Sequence, residues 1–416
     1  MSSHALSSQT QKTEEQKESM LSRSANYLRD NAGGIRTLDF LLFFALIFNI
    51  TLPGINLYPY LIVMAVIVAV GLSRKPLYDL GNHKKIFVIL GCAIVYLLCV
   101  TTFQEHSTEA FDWTRRILRI VLVTLLGYLL ADGRIHIRSA VSGYFFGTIV
   151  NVFAWLAGVG TQGYGGVLTG YLGDKNVAGM VYAIFGVLAL LIARNRVEVI
   201  LSILFSYGTL WLTGSRTSLG AYTAALLWIL IAPKLNFWFK AVYGYLIYVI
   251  LDILTRDYAQ TGAFSDRAGT DALRARIDEA ALEKASHTGF FGKGLGEAIV
   301  PIDNRTWIFH NSYVGAYVEG GWPWLLLLLA LSVFVIVALR YSNTAPSRTN
   351  LIIQGAGVAL LVCSWRLGEV LYTWQWCLVL GLAIRVALVE KEAISQGIDV
   401  KGADLDLDSK IKIGKK

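Results

Sequence analysis

The chain has 416 residues, of which 55% are apolar and only 16% charged, with a net charge of +8 at pH 7. Soluble domains carry roughly 25% charged residues, and the mean hydropathy here is +0.53, so the composition is that of a membrane protein and excludes collagen-like, disordered and disulfide-scaffold classes. The basic residues sit mostly at the ends of apolar runs rather than in a patch with exposed aromatics, which is a topology signature and not a nucleic-acid one.

Segment 1–36 is polar, has no apolar core of a signal peptide, and is expected to be a cytoplasmic surface or disordered tail. From there apolar runs bounded by charges or turn residues predict twelve membrane-spanning helices, at 37–52, 56–72, 86–103, 117–132, 137–159, 176–193, 197–214, 218–232, 237–255, 314–339, 351–370 and 373–389. The expected organisation is nine spans over 37–255, an external loop at 256–310, three spans over 311–389 and a cytoplasmic tail at 390–416. Basic residues set the orientation. With the N-terminus inside, twelve of them (among them Arg74, Lys84, Arg134, Arg194, Lys234 and Arg348) fall in cytoplasmic loops, against five in short external segments: Arg115, Arg116, Lys175, Arg216 and Arg366. Both termini are therefore expected on the cytoplasmic side. Cys92, Cys99, Cys363 and Cys377 all lie in apolar runs and read as small buried apolar residues.

The long external loop departs from the pattern of short connections, and such loops are usually functional. Within it, 271–286 has helical spacing, with Leu273, Ile277, Ala280, Ala281 and Leu282 as an apolar stripe and Arg274, Arg276, Asp278, Glu279 and Glu283 off it. That pattern suits a helix lying over the outer mouth of the bundle, followed by a flexible glycine-rich turn, Gly-Phe-Phe-Gly-Lys-Gly-Leu-Gly at 289–296.

Several external groups carry possible chemistry. Gly214-Ser215-Arg216-Thr217-Ser218 places an arginine among hydroxyls at a span end; its guanidinium fork matches phosphate oxygens, the alternative being a charged turn at the headgroup level. His310-Asn311-Ser312-Tyr313 leads back into the membrane, and a neutral imidazole can accept a proton from a sugar hydroxyl, although a lone histidine is more often structural. On the loop helix Arg274 and Arg276 point in different directions, so one of them faces the bundle and the other a surface partner. Arg366 and Glu369 either pair with each other or supply a further phosphate ligand, and Lys175 is a comparable candidate. Walker A, Gly-x-Ser-x-Gly, His-Glu-x-x-His and external Asp-x-Asp motifs are absent from the sequence. Arginines, a histidine and hydroxyls on one side of a helical bundle suggest a phosphate-bearing, lipid-linked substrate handled without metal.

Taken in order, Ser-Arg-x-x-x-Gly at 215–220, the late long loop, Gly-Lys-Gly-Leu-Gly at 292–296, His-Asn-Ser-Tyr at 310–313 and Glu-Gly-Gly at 319–321 resemble the O-antigen ligase and polymerase superfamily. The resemblance covers roughly residues 160–325, with the hydrophobic layout agreeing elsewhere; where the family has His-Pro before the glycine turn, this chain has His287-Thr288. It implies an all-α, GT-C type membrane glycosyltransferase of the Gram-negative inner membrane, with the active site facing the periplasm. It further implies inverting, metal-independent transfer of O-antigen from undecaprenyl diphosphate to a lipid A–core sugar in lipopolysaccharide biosynthesis, with no cofactor and no nucleic-acid partner. Carried over, His310, Arg216 and Arg274 become catalytic, with His310 activating the acceptor hydroxyl or stabilising the departing phosphate. Ser215, Arg276, Asn311, Tyr313, Lys175 and Arg366 join Arg216 and Arg274 as candidate diphosphate- or glycan-binding residues. A polymerase of the same superfamily is the first alternative, disfavoured by the single large loop; a transporter or flippase is the second, disfavoured by the lack of an internal repeat.

Overall fold

A computed structural model describes residues 35–49, 58–104, 107, 110–160, 166–235, 237–257, 268–338 and 346–409. The expected N-terminal tail, up to residue 34, lies outside the described residues. The rest is mostly helical. In chain order the helices are α1 (Thr37–Ala45), α2 (Pro59–Leu72), α3 (Lys84–Phe103), α4 (Trp113–Ala131), α5 (Ile137–Leu156), α6 (Lys175–Leu188), α7 (Arg196–Thr213), α8 (Arg216–Ile231), α9 (Phe237–Asp257), α10 (Ala268–Ser286), α11 (Ser312–Ala330, continued by a π-helical stretch Leu331–Val337), α12 (Arg348–Arg366) and α13 (Trp374–Ser395). Within the described residues each of the twelve expected runs overlaps one of these helices, with bounds that differ by up to several residues, and α10 is the helix of the long loop. Among the described residues four helices are long and apolar enough to cross a membrane by length and composition: Gly81–Phe103, Ile137–Leu156, Arg196–Thr213 and Ser312–Val337.

The core is made where helices meet through small residues, as membrane bundles require for close backbone approach. A Cβ on Gly381 of α13 would lie 2.5 Å from the carbonyl oxygen of Gly127 on α4. One on Gly143 of α5 would lie 2.2 Å from that of Phe40 on α1. Helices α6, α12 and α13 are buried on nearly every side, and polar groups inside pair across helices, as Trp376 Nε1 does with Ser332 (2.9 Å) and Trp228 Nε1 with Gln354 (3.2 Å).

Several features differ from the sequence reading. The all-α expectation omits a hairpin, β1 (Ile299–Ile302) with β2 (Arg305–Ile308), antiparallel around Asp303 and Asn304. Both turn residues have positive φ (52° and 58°), the geometry that two-residue hairpin loops favour. On α10, Ile277 and Ala281 are buried against Ala298, Val300 and Phe309, with Leu273 and Ala280 packed beside them, whereas Leu282 is 61% exposed because it falls off that stripe. Cys92 and Cys99 lie on exposed helix faces rather than inside. The glycine-rich segment is packed rather than flexible: the N–H groups of Lys293 and Gly294 donate to the carbonyls of Val318 (2.7 Å) and Glu319 (3.0 Å). It fits against a break in α11 at Gly321 (φ 65°, ψ −165°), a backbone region essentially reserved for glycine.

Chain order carries Arg116, Lys175, Arg216, His310 and Glu369 to one end of the bundle, and Arg134, Arg348 and Arg385 to the other. At this second end the segment after α13 folds back: Arg385 donates to the Leu407 carbonyl, and Asp408 accepts from the N–H groups of Ile137 (2.6 Å) and Arg138 (2.8 Å).

Candidate functional site

At the end that carries α10, three segments converge. Helix α6 starts at Lys175 because Asp174 caps it, accepting from the N–H groups of Asn176 (2.7 Å) and Val177 (3.1 Å), which places the lysine on the first turn. Helix α10 is held over the bundle by its apolar stripe and by Lys284, whose Nζ donates to Glu297 at 2.7 Å. Burial would raise the Glu297 carboxyl, but Lys284 and Ser107 outweigh it and hold it below its ordinary value. His310 occupies the extended lead from the hairpin into α11, its carbonyl accepting from the N–H of Gly368 at 2.8 Å. Between these segments lies a cavity of about 790 Å³, lined by the polar Lys175, Arg274, His310, Arg119 and Glu369 together with Leu46, Val123, Tyr144 and Trp374.

Of the candidates read from the sequence, Lys175, Arg274 and His310 meet on this cavity. The choice between Arg274 and Arg276 has a structural answer: Arg276 makes a bidentate pair with Asp303 on the hairpin turn (2.8 and 3.0 Å), away from the cavity. Arg216 is half-buried at the start of α8, at the same end but off the cavity wall. Ser215 is consumed in capping that helix, its hydroxyl 2.7 Å from that of Ser218. Asn311 caps α11, accepting from the N–H groups of Tyr313 (2.9 Å) and Val314 (3.3 Å). The Tyr313 hydroxyl donates to the Leu361 carbonyl at 2.7 Å. Arg366 does not pair with Glu369; it stacks on Trp365 and lies 3.8 Å from Asp278.

A buried ion network adjoins the cavity, reaching its wall through Arg119 and Glu369. Arg116 joins Glu319 (2.6 Å) and Glu369, and Arg119 joins Glu369 at 2.7 Å. Glu319 also accepts from the N–H of Gly296 at 2.9 Å, which ties the glycine-rich segment to the site. From the sequence, Arg116 serves only to set orientation and Arg119 only as one of a few buried charges near span ends, neither as part of a site. Their spacing, two arginines three apart entering an apolar helix, was the available signal.

No family model and no curated protein matches the chain. What the site can do follows from its groups. Of the charged side chains that line the cavity, Arg119, Lys175 and Arg274 are cations and Asp174 and Glu369 are carboxylates, so the lining carries a cationic excess that suits an anion. A cavity this size, with many apolar lining residues and a few convergent polar groups, is the usual form of a ligand site. Here it can hold an amphiphile with an anionic head beside a histidine able to move a proton. Among the described residues, no three His, Cys, Asp or Glu side chains converge as metal ligands.

Proposed function

We propose that this chain is an O-antigen ligase, a twelve-span GT-C type glycosyltransferase of the Gram-negative inner membrane with both termini in the cytoplasm and the cavity open to the periplasm. The observation that carries the reading is the meeting of Lys175, Arg274 and His310 on one amphipathic cavity. The donor is O-antigen on undecaprenyl diphosphate: the cations take the diphosphate, Arg216 approaches it from the start of α8, and the apolar lining residues take the first part of the polyprenyl chain. His310 accepts the proton of the acceptor hydroxyl on the lipid A–core sugar. The acceptor oxygen bonds to the anomeric carbon as the bond to phosphate breaks, and the electron pair leaves on the diphosphate. Displacement in one step inverts the anomeric centre. Donors aimed at developing charge supply several kcal/mol and a general base about 10²–10⁴-fold, which suffices with a diphosphate leaving group and without metal.

The test is complementation of a strain that makes lipid-linked O-antigen and rough lipopolysaccharide but lacks its own ligase. Long-chain lipopolysaccharide on expression of this chain supports the reading. Lengthening of the lipid-linked glycan alone makes it a polymerase, and relocation of glycan without covalent change makes it a transporter.

A further inference from the structure

We infer that Asp278, on the helix overlying the cavity, is a positioning residue for His310: it holds the imidazole through Nδ1 and so leaves Nε2 for the acceptor hydroxyl. The chemistry rests on the ligase reading; the contact rests on geometry. Asp278 Oδ1 lies 3.5 Å from His310 Nδ1, and Oδ2 lies 3.8 Å from Arg366 Nη1. His310 Nδ1 is buried and has no hydrogen-bond partner within range. A buried imidazole nitrogen left unsatisfied is costly, and this carboxylate lies within about half an ångström of satisfying it. The His310 main chain is already fixed through its carbonyl to Gly368, so the orientation of the ring is what remains to be set. A closure of about half an ångström turns the contact into a hydrogen bond, and such bonds commonly tighten only when substrate binds.

Asp278 has a second property. It follows Arg274 by one turn, and residues four apart share a helix face; Arg274 is on the cavity wall. An anion drawn onto Arg274 therefore seats α10 and brings Asp278 onto His310, so that donor binding orients the base. Arg366, stacked on Trp365 at 4.6 Å, holds the far oxygen of Asp278. This assigns Arg366 to the carboxylate rather than to phosphate. The other charged groups that line the cavity with His310 and Arg274 are Arg119 from α4, Asp174 and Lys175 at the start of α6, and Glu369 from the turn after α12.

The experiment compares full-length wild type with Asp278→Asn, Asp278→Ala and Asp278→Glu in proteoliposomes, with equal thermal unfolding as the check on folding. Transfer is measured at varied donor and acceptor, and carbethoxylation of His310 by diethyl pyrocarbonate is followed by mass spectrometry. Asp278→Asn is expected to lower kcat by about tenfold to a thousandfold while each KM stays within about twofold, with Asp278→Glu recovering part of the loss. Carbethoxylation of His310 is expected to quicken in Asp278→Asn and Asp278→Ala, because a ring no longer held exposes both nitrogens. A kcat within about threefold of wild type in Asp278→Asn, or a loss confined to KM, overturns the inference while leaving the ligase reading intact. If wild type itself transfers nothing, the ligase reading fails, and the carbethoxylation rate alone decides the contact: a rise supports it and an unchanged rate overturns it.

Discussion

Replacing Arg116 with methionine strands one particular carboxylate. Glu369 keeps Arg119 at 2.7 Å, but Glu319, whose side chain is 4% exposed, loses the only cation paired with it among the described residues and retains the Gly296 N–H. Removing one partner of a buried ion pair costs about 3–5 kcal/mol, because the remaining charge is left uncompensated. The lower part of that range applies here, since one hydrogen bond to the carboxylate survives. The double variant Arg116→Met/Glu319→Gln leaves no stranded charge and is expected to be more stable than Arg116→Met alone by about 2 kcal/mol or more. Glu319→Gln alone is expected to cost about 1 kcal/mol, as Arg116 still has Glu369. Reversible unfolding in mixed micelles, followed by tryptophan fluorescence, measures all three. A loss under about 1 kcal/mol for Arg116→Met, or simple additivity in the double variant, would refute the claim that this network is a buried, interdependent unit.

Three further outcomes are expected. Glu297 has a lowered folded-state pKa against its usual 4.5, so the stabilisation from its bonds to Lys284 and Ser107 is full above about pH 4.5 and is lost as pH falls through the folded value. Limited proteolysis of α10 should quicken over that acid range in wild type, and Lys284→Met should weaken the dependence. Gly321→Ala forces a Cβ to 2.0 Å from the Phe290 carbonyl oxygen at φ 65°; it should destabilise by more than about 2 kcal/mol and loosen the glycine-rich segment in hydrogen exchange. Arg276→Ala should leave transfer within about twofold, as an exposed pair contributes little, whereas Arg274→Ala should cut it by about tenfold or more; equal losses would mean that the cavity assignment is wrong.

The helical character of the described residues was legible because each apolar run is bounded by charges or turn residues, although only four of those helices are long and apolar enough to cross a membrane by length and composition. The convergence of Lys175, Arg274 and His310 was legible because alternating helix directions return every second connection to the same end. Partnerships across long sequence separations were not. Glu369 finds Arg116 and Arg119 rather than its neighbour Arg366, and nothing local marks that choice. Asp278 reads as one more polar residue on an amphipathic helix until the hairpin sets His310 beside it. The hairpin is visible in principle, in a two-residue Asp303-Asn304 turn between the short runs Ile-Val-Pro-Ile and Arg-Thr-Trp-Ile, which a search for helical periodicity passes over. Asn311, Ser215 and Tyr313 looked like ligands because they are polar and lie near the motif, yet the starts of α8 and α11 consume the first two and the Leu361 carbonyl the third. A helix start needs capping groups whatever the function.

The central claim is tested most directly with purified protein, undecaprenyl-diphosphate-linked O-antigen, rough lipopolysaccharide and excess chelator. The account predicts long-chain lipopolysaccharide and free undecaprenyl diphosphate in equal amounts from wild type, with both lost in His310→Ala and in Arg274→Ala. Transfer that persists at the wild-type rate in folded His310→Ala, or that stops on addition of the chelator, would contradict it.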